Sequence, residues 1–332
     1  MAQMKYFYEL SISSSPHAHS PVTTQTVMRD VLIALTPALI GSICFFGFRA
    51  LMVVLVSASA SVFFEWAYRK LMGKDSMVYD LSAVVTGVLL AFVCPVTIPY
   101  WCIILGDAFA IIIVKQLFGG IGKNFMNPAL AARAFLFSWP AVMSTWAKVG
   151  FENAVSLGST VDAVTAATPL EALHRGVMPA ASALELFLGN VGGCIGETSA
   201  LLLLLGGVYL LIRKVISIRI PAAFLGTVAV LTFLFPQGND RLGWMLAQLC
   251  SGGLMLGAIF MATDYVTSPV TKLGQVIFGI GCGVLTIAIR YFGAYNEGVS
   301  YAILVMNACV VLLDKLGRPK KFGAPKKEVA AK

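Results

Sequence analysis

Gly87 followed by Val96-Thr97-Ile98-Pro99, and Gly257 followed by Val266-Thr267-Ser268-Pro269, are two copies of one pattern, G…V-T-x-P, set 170 residues apart. Around each copy lie five apolar segments. They run over about 30–47, 50–68, 80–93, 98–117 and 126–140 in the first half, and over about 184–212, 219–235, 244–262, 273–292 and 299–314 in the second. The pattern starts in the third segment of each set. Five is odd, so the second set must enter a membrane from the side opposite to the first, as in an inverted-topology repeat. The sequence therefore predicts an all-α polytopic membrane protein of about ten transmembrane helices, arranged as two inverted five-helix repeats.

Composition agrees with this reading. Of 332 residues, 58% are hydrophobic and 12% charged, with a mean hydropathy of +0.84, whereas soluble domains carry about 25% charged residues. Divided by roughly 20 residues per crossing, the length leaves no room for a large soluble domain. The seven cysteines include no C-x-x-C pair, which argues against a disulfide framework or a metal cage and for small core side chains. The net charge of +8 could suit nucleic acid, but the basic residues sit in short connections and one tail, as membrane orientation requires. No nucleic-acid partner is expected.

With both termini cytoplasmic, eighteen basic residues lie inside, among them Arg69, Lys70, Lys74, Lys115, Lys123 and the run from Lys315 to Lys332. Five lie outside, namely Arg49, Lys148, Arg175, Arg241 and Arg290, and Arg133 falls within the fifth segment. This asymmetry divides the chain into a cytoplasmic N-terminal segment 1–26 with no signal peptide to be removed, a first repeat 27–140, an extracytoplasmic loop 141–182, a second repeat 183–315 and a basic cytoplasmic tail 316–332.

The outer loop contains Asp162-Ala163-Val164-Thr165-Ala166-Ala167-Thr168-Pro169-Leu170-Glu171. Thr168 ahead of Pro169, with Glu171 three positions on, reads as a capping box with proline at the first helical position. A helix start also favours a phosphate. Elsewhere, carboxylates near membrane depth are functional candidates. Asp80 opens the third segment, where a carboxylate makes a good cap, while Asp314 closes the tenth, where the helix dipole disfavours it. Both are candidates for an ion path. Glu65, Asp107, Glu197 and Asp264 also sit within or beside apolar segments, and Arg133 calls for a carboxylate or phosphate partner. Gly119-Gly120-Ile121-Gly122 lacks the preceding βαβ unit of a dinucleotide site and reads as a close-packed membrane loop, with Lys123, Asn124 and Asn127 free to line a flavin or ion cavity.

Asp162-x-x-Thr165-x-Ala167-Thr168 resembles the flavinylation motif of the family that comprises the D subunit of Rnf complexes and the B subunit of sodium-pumping NADH:quinone reductases. The resemblance extends through Ser15-Pro16-His17, the run Phe118 to Ala129, Gly196-Glu197, the run Phe260 to Pro269, Asn307 and Asp314. It covers nearly the whole chain, with Ala166 standing where the family often has glycine, and the short N-terminal region is closer to the Rnf type. It implies a multi-pass protein of the bacterial inner membrane, part of an ion-translocating ferredoxin:NAD oxidoreductase and not catalytic alone, with FMN attached to Thr168 by a phosphoester and a second, non-covalent riboflavin. Implied partners are the A and E membrane subunits of an Rnf complex, its G flavin protein, its B and C iron–sulfur subunits, and a flavin transferase that reads Asp162, Thr165 and Ala167. Two other readings of the chain stand beside this one. A quinone-reductase subunit would keep the flavin and change the partners, and a cofactor-free inverted-repeat channel or transporter would account for the repeat alone.

Overall fold

A computed structural model describes residues 22–74, 78–147, 168–238, 240–293 and 295–317, and among these residues the chain is all helical. Asp162, Thr165 and Ala167 lie outside the described residues, as do nearly all of the N-terminal segment and the tail. Helix α1 spans Thr24–Phe46 and opens on Thr23, whose hydroxyl accepts the Thr26 N–H while Thr26 returns the bond. Helix α2, Phe48–Leu71, follows after Gly47. Helix α3 is Ser82–Phe92, and α4 is Tyr100–Ala108, continued by a π-helical stretch over Phe109–Gln116. The wider π turn has a consequence for packing. Lys115 and Gln116 are neighbours in sequence, which on an α-helix would point apart, yet both reach Glu65 of α2.

Helix α5, Pro128–Leu136, is capped by Asn127, whose Oδ1 accepts from Ala129 and Leu130 at 3.0 and 3.3 Å. Three short helices follow, α6 Pro140–Met143, α7 Pro169–His174 and α8 Ala183–Leu188. The remainder are α9 Ala200–Ile212, α10 Arg219–Leu234, α11 Arg241–Cys250, α12 Leu254–Leu256 continued by a π-helical Gly257–Met261, α13 Lys272–Phe292 and α14 Val299–Leu316.

Four helices, α1, α2, α13 and α14, are each long and apolar enough to cross a bilayer, and α11 with α12 forms a fifth candidate bent by 65°. The chain is thus a multi-pass membrane protein by length and composition. Several apolar segments are not single helices. The stretch 184–212 is interrupted because α8 ends on Gly189, which has φ of 100°, and the connection to α9 turns Glu197 inward. The stretch 126–140 splits into α5 and α6 with Pro140 opening the second. Short, interrupted helices of this kind need neighbours to satisfy their backbone ends, and α3, α5 and the α12 stretch are accordingly almost wholly buried among the others.

Close approach fixes the first half. At Gly87 of α3 a side chain would stand 2.7 Å from the Ser57 carbonyl and 2.8 Å from the Ala58 Cα on α2, so glycine lets these two backbones touch. The apolar surfaces left outside, including Ile40, Leu55, Phe63, Leu205 and Val311, suit contact with lipid.

Candidate functional site

Thr168 is nine-tenths buried and its hydroxyl accepts the Glu171 N–H at 3.2 Å, capping α7. Proline follows at the first helical position as expected. The reciprocal half of the capping box is not formed, because the Glu171 carboxylate is engaged by Arg175, one turn on, at 2.5 Å. Helix α7 is anchored by a small core of its own, where Leu170 and Leu173 pack with Leu186, Trp244 and Ala247, and by His174, whose Nδ1 lies 2.7 Å from the Arg290 carbonyl.

Thr168 lines a cavity of about 240 Å³. One wall is aromatic. The rings of Phe137, Tyr295 and Tyr301 lie within 5.1 to 6.3 Å of one another, all three lining the space. The opposite chemistry comes from Arg133, buried in α5. Its Nη1 donates to Glu197 Oε1 at 3.0 Å, Glu297 Oε1 at 2.8 Å and Ser300 Oγ at 3.1 Å, and its Nη2 donates to Glu297 Oε2. Arg290, equally buried, donates to the carbonyls of Gln248, Ser251 and Glu297. Two buried arginines and two glutamates thus balance in charge, as burial demands. Arg133 Nε and Ser251 Oγ are left without protein partners, and both residues line the cavity.

A second, smaller cavity of about 90 Å³ lies between the halves, with Ser82, Lys115, Asn124, Asn127, Thr263 and Asp264 among its lining. Asn124 and Asn127 therefore do face an internal space, and Lys123 is exposed. Asn127 Nδ2 donates to the Met261 carbonyl at 3.3 Å. With its amide turned to satisfy both ends, Asn307 donates to the Thr267 carbonyl at 3.0 Å and accepts from the Asn127 N–H at 3.2 Å.

The two carboxylates singled out at helix ends are both engaged. Asp80 Oδ1 accepts from the Ser82 N–H at 2.8 Å and the Ser82 hydroxyl at 2.7 Å. Asp314 sits at the end of α14, but its Oδ1 accepts the Val270 and Thr271 N–H groups at 3.0 and 3.2 Å. It therefore serves the start of α13, which offsets the unfavourable dipole of its own helix. Glu297, Tyr295 and Tyr301 were not singled out by sequence. One signal was present for Glu297, which stands at the 170-residue offset from Asn127, the cap of α5.

A family model described as the NQR2, RnfD, RnfE family matches residues 11–323 of the chain. The chain belongs to this family. It is 47% identical over 329 residues to the D subunit of the Na(+)-translocating ferredoxin:NAD(+) oxidoreductase complex of Acetobacterium woodii, an alignment that covers 97% of this chain and 98% of that protein. It is 42% identical to the D subunit of the proton-translocating ferredoxin:NAD(+) oxidoreductase complex of Clostridium ljungdahlii, covering 94% and 96%. It is also 39% identical to the D subunit of the ion-translocating oxidoreductase complex of Stutzerimonas stutzeri, covering 90% and 91%. For an NQR2, RnfD, RnfE family member, the lack of a catalytic triad among the described residues around Thr168 is no obstacle, since these relatives are named as parts of larger complexes.

Proposed function

We propose that the chain is the D-type membrane subunit of an Rnf-type ion-translocating ferredoxin:NAD oxidoreductase, and that it carries FMN on Thr168. The observation that supports this most is the position of Thr168 on the wall of a cavity that combines three aromatic rings with a buried arginine. FMN suits that space. Phe137, Tyr295 and Tyr301 would hold the ring system, Arg133 Nε and Ser251 Oγ offer the unmet polar contacts, and Thr168 would carry the phosphoester. The bound flavin would supply one- and two-electron transfer. The chain's own residues orient and shield it, with Glu197 and Glu297 fixing the Arg133 guanidinium in the cavity wall.

The finer features belong to the same proposal. A ten-span inverted repeat is supported by helices that recur at the 170-residue offset, α2 with α10, α4 with α13, and α5 with the first part of α14. The basic-residue asymmetry supports cytoplasmic termini and an outer Thr168. Non-covalent riboflavin would take the inner cavity beside Asn124 and Asn127, and Asp80 and Asp314 would stand near an ion path. The proposed partners are the A, B, C, E and G components of an Rnf complex and a flavin transferase that reads Asp162, Thr165 and Ala167. The relatives are named for both Na+ and protons, so likeness does not choose the ion. Mass spectrometry of the peptide containing Thr168, from protein co-expressed with a transferase, tests the reading. A peptide of unmodified mass would overturn it.

A further inference from the structure

Asp107 lies in α4 immediately before the π-helical stretch and is completely buried. Its Oδ1 is 2.8 Å from Ser61 Oγ and 2.9 Å from Ser57 Oγ, while Oδ2 has no hydrogen-bond partner. Ser57 Oγ is in addition 2.8 Å from the Gly87 carbonyl. A serine hydroxyl carries one hydrogen. If Ser57 gives it to Gly87, its contact with Asp107 lacks a hydrogen unless the carboxyl supplies one. If Ser57 gives it to Asp107 instead, an ionised carboxylate remains in the apolar interior with one oxygen bare and no cation upon it, which is costly. A neutral carboxyl with its proton on Oδ1, donating to Ser57 and accepting from Ser61, satisfies all three contacts.

The basic group farther along α4, Lys115, is committed elsewhere, 3.0 Å from Glu65 and 2.6 Å from Ser82 Oγ. On the other side of Asp107 the titratable neighbours are Cys94, in the α3–α4 connection, and Cys102 on α4 itself. Beyond Cys94 stands Arg133, tied to its two glutamates.

Helix α2 extends this polar contact toward one end of the bundle. Ser57, Ser61, Glu65 and Arg69 recur at every fourth position, all buried, so they form one stripe. From Glu65 the contacts continue through Lys115 to Ser82 Oγ and on to Asp80 Oδ1, 2.7 Å from that hydroxyl and partly exposed at the end of the bundle.

We propose that Asp107 is a proton-binding site inside the first half of the chain, reached from the Asp80 end through Ser82, Lys115, Glu65 and Ser61. The ligand is a proton and not a metal ion. Glu65, Lys115, Ser82 and Asp80 form a line of contacts and not a cage, with Ser61 one helical turn from Glu65 on the same stripe, and among the described residues no cluster of metal-ligating side chains is present. Loading makes one O–H bond at Asp107 Oδ1. As that bond forms the Ser61 O–H bond breaks, Ser61 is refilled through Glu65, Glu65 by Lys115, Lys115 by Ser82, Ser82 through Asp80 and Asp80 by water, so one proton enters from solvent and each relay group ends as it began. This site goes beyond the flavin reading of Thr168 and does not depend on it. Of the residues proposed earlier for an ion path it uses Asp80 alone, as the mouth.

Infrared spectra of the full chain in detergent at neutral pH test the proposal, as the difference between wild type and Asp107→Asn in H2O and in D2O. The expected result is a protonated-carboxyl carbonyl band that the variant lacks and that moves to lower frequency in D2O. In Ser61→Ala and Glu65→Gln that shift should slow by about tenfold, the effect of losing one hydrogen-bonded step. Asp107→Glu guards against misfolding, because it should displace the band and not delete it. Spectra in which neither Asp107 variant alters a protonated-carboxyl band would show the group ionised and overturn the site. A band that fails to exchange, or exchanges at the wild-type rate in both Ser61→Ala and Glu65→Gln, would overturn the route. Thr168→Ala should leave the band unchanged, so loss of the flavin reading and loss of this one are separate outcomes.

Discussion

Glu297 offers both carboxylate oxygens to the guanidinium of Arg133 across 164 residues of sequence. The contact joins α5 to the start of α14, and Glu197, from the connection ahead of α9, completes it at 3.0 Å. Only a planar fork of donors can meet both partners in this way.

Removing Arg133 strands the buried Glu197 and the partly buried Glu297, and breaking a buried pair in this manner costs about 3–5 kcal/mol. Arg133→Ala is therefore expected to lower the thermal midpoint of the detergent-solubilised protein well below that of wild type. Arg133→Lys should fall between, since an ammonium cannot span both glutamates. A wild-type midpoint in Arg133→Ala would show that the contact does not hold the halves together.

Thr168→Ala removes both the attachment oxygen and the cap of α7. The cap is worth about 1 kcal/mol, too little to unfold the chain. The expected outcome is normal insertion with no covalent flavin, read as lost in-gel fluorescence. Thr168→Ser keeps the cap and is the control for folding, and Thr165→Val is expected to lower flavin attachment less. Full fluorescence in Thr168→Ala would move the attachment elsewhere.

Orientation can be checked at two exposed positions, Ser144 beside the Thr168 cavity and Lys74 beyond the end of α2. Cysteine at Ser144 should react with an impermeant thiol reagent applied to intact cells. Cysteine at Lys74 should react only after the membrane is opened. The reverse pattern would invert the topology and place Thr168 on the cytoplasmic side.

Asp314 and Asp80 each accept from backbone N–H groups, so a structural role and a place on an ion path predict different things for the same variants. Asparagine keeps an acceptor oxygen and removes the charge. If the two carboxylates border the path, Asp314→Asn and Asp80→Asn should insert normally and alter the cation dependence of electron transfer in the assembled complex. Unchanged dependence in both would confine them to capping α13 and bracing α3.

The all-helical, multi-pass character could be read from the sequence because apolar runs and caps act locally. Thr168 ahead of Pro169 announced α7, whereas the N-cap position of α3 falls to Leu81, with Asp80 one residue earlier accepting the Ser82 N–H. Long-range partners were another matter. Arg133 called for a carboxylate or a phosphate, but nothing local could say that Glu297 would be one of two carboxylates, since that contact exists only once α5 and α14 are packed. Asp314 looked misplaced for the same reason, as the N–H groups it accepts from belong to the start of another helix. The run 184–212 looked continuous because hydropathy does not register a backbone that turns at Gly189 to bring Glu197 inward.

The buried stripe on α2 also limits how its sequence can change. Each residue advances an α-helix by about 100°, so one residue inserted between Ser61 and Glu65 would swing Glu65 and Arg69 off the protein interior and onto the lipid side while leaving Ser57 in place. Exchanging lipid-facing side chains such as Leu55 or Phe63 keeps that phase intact. Helix α2 can therefore vary freely in what it shows the bilayer, yet between Ser57 and Arg69 its length is fixed to the residue.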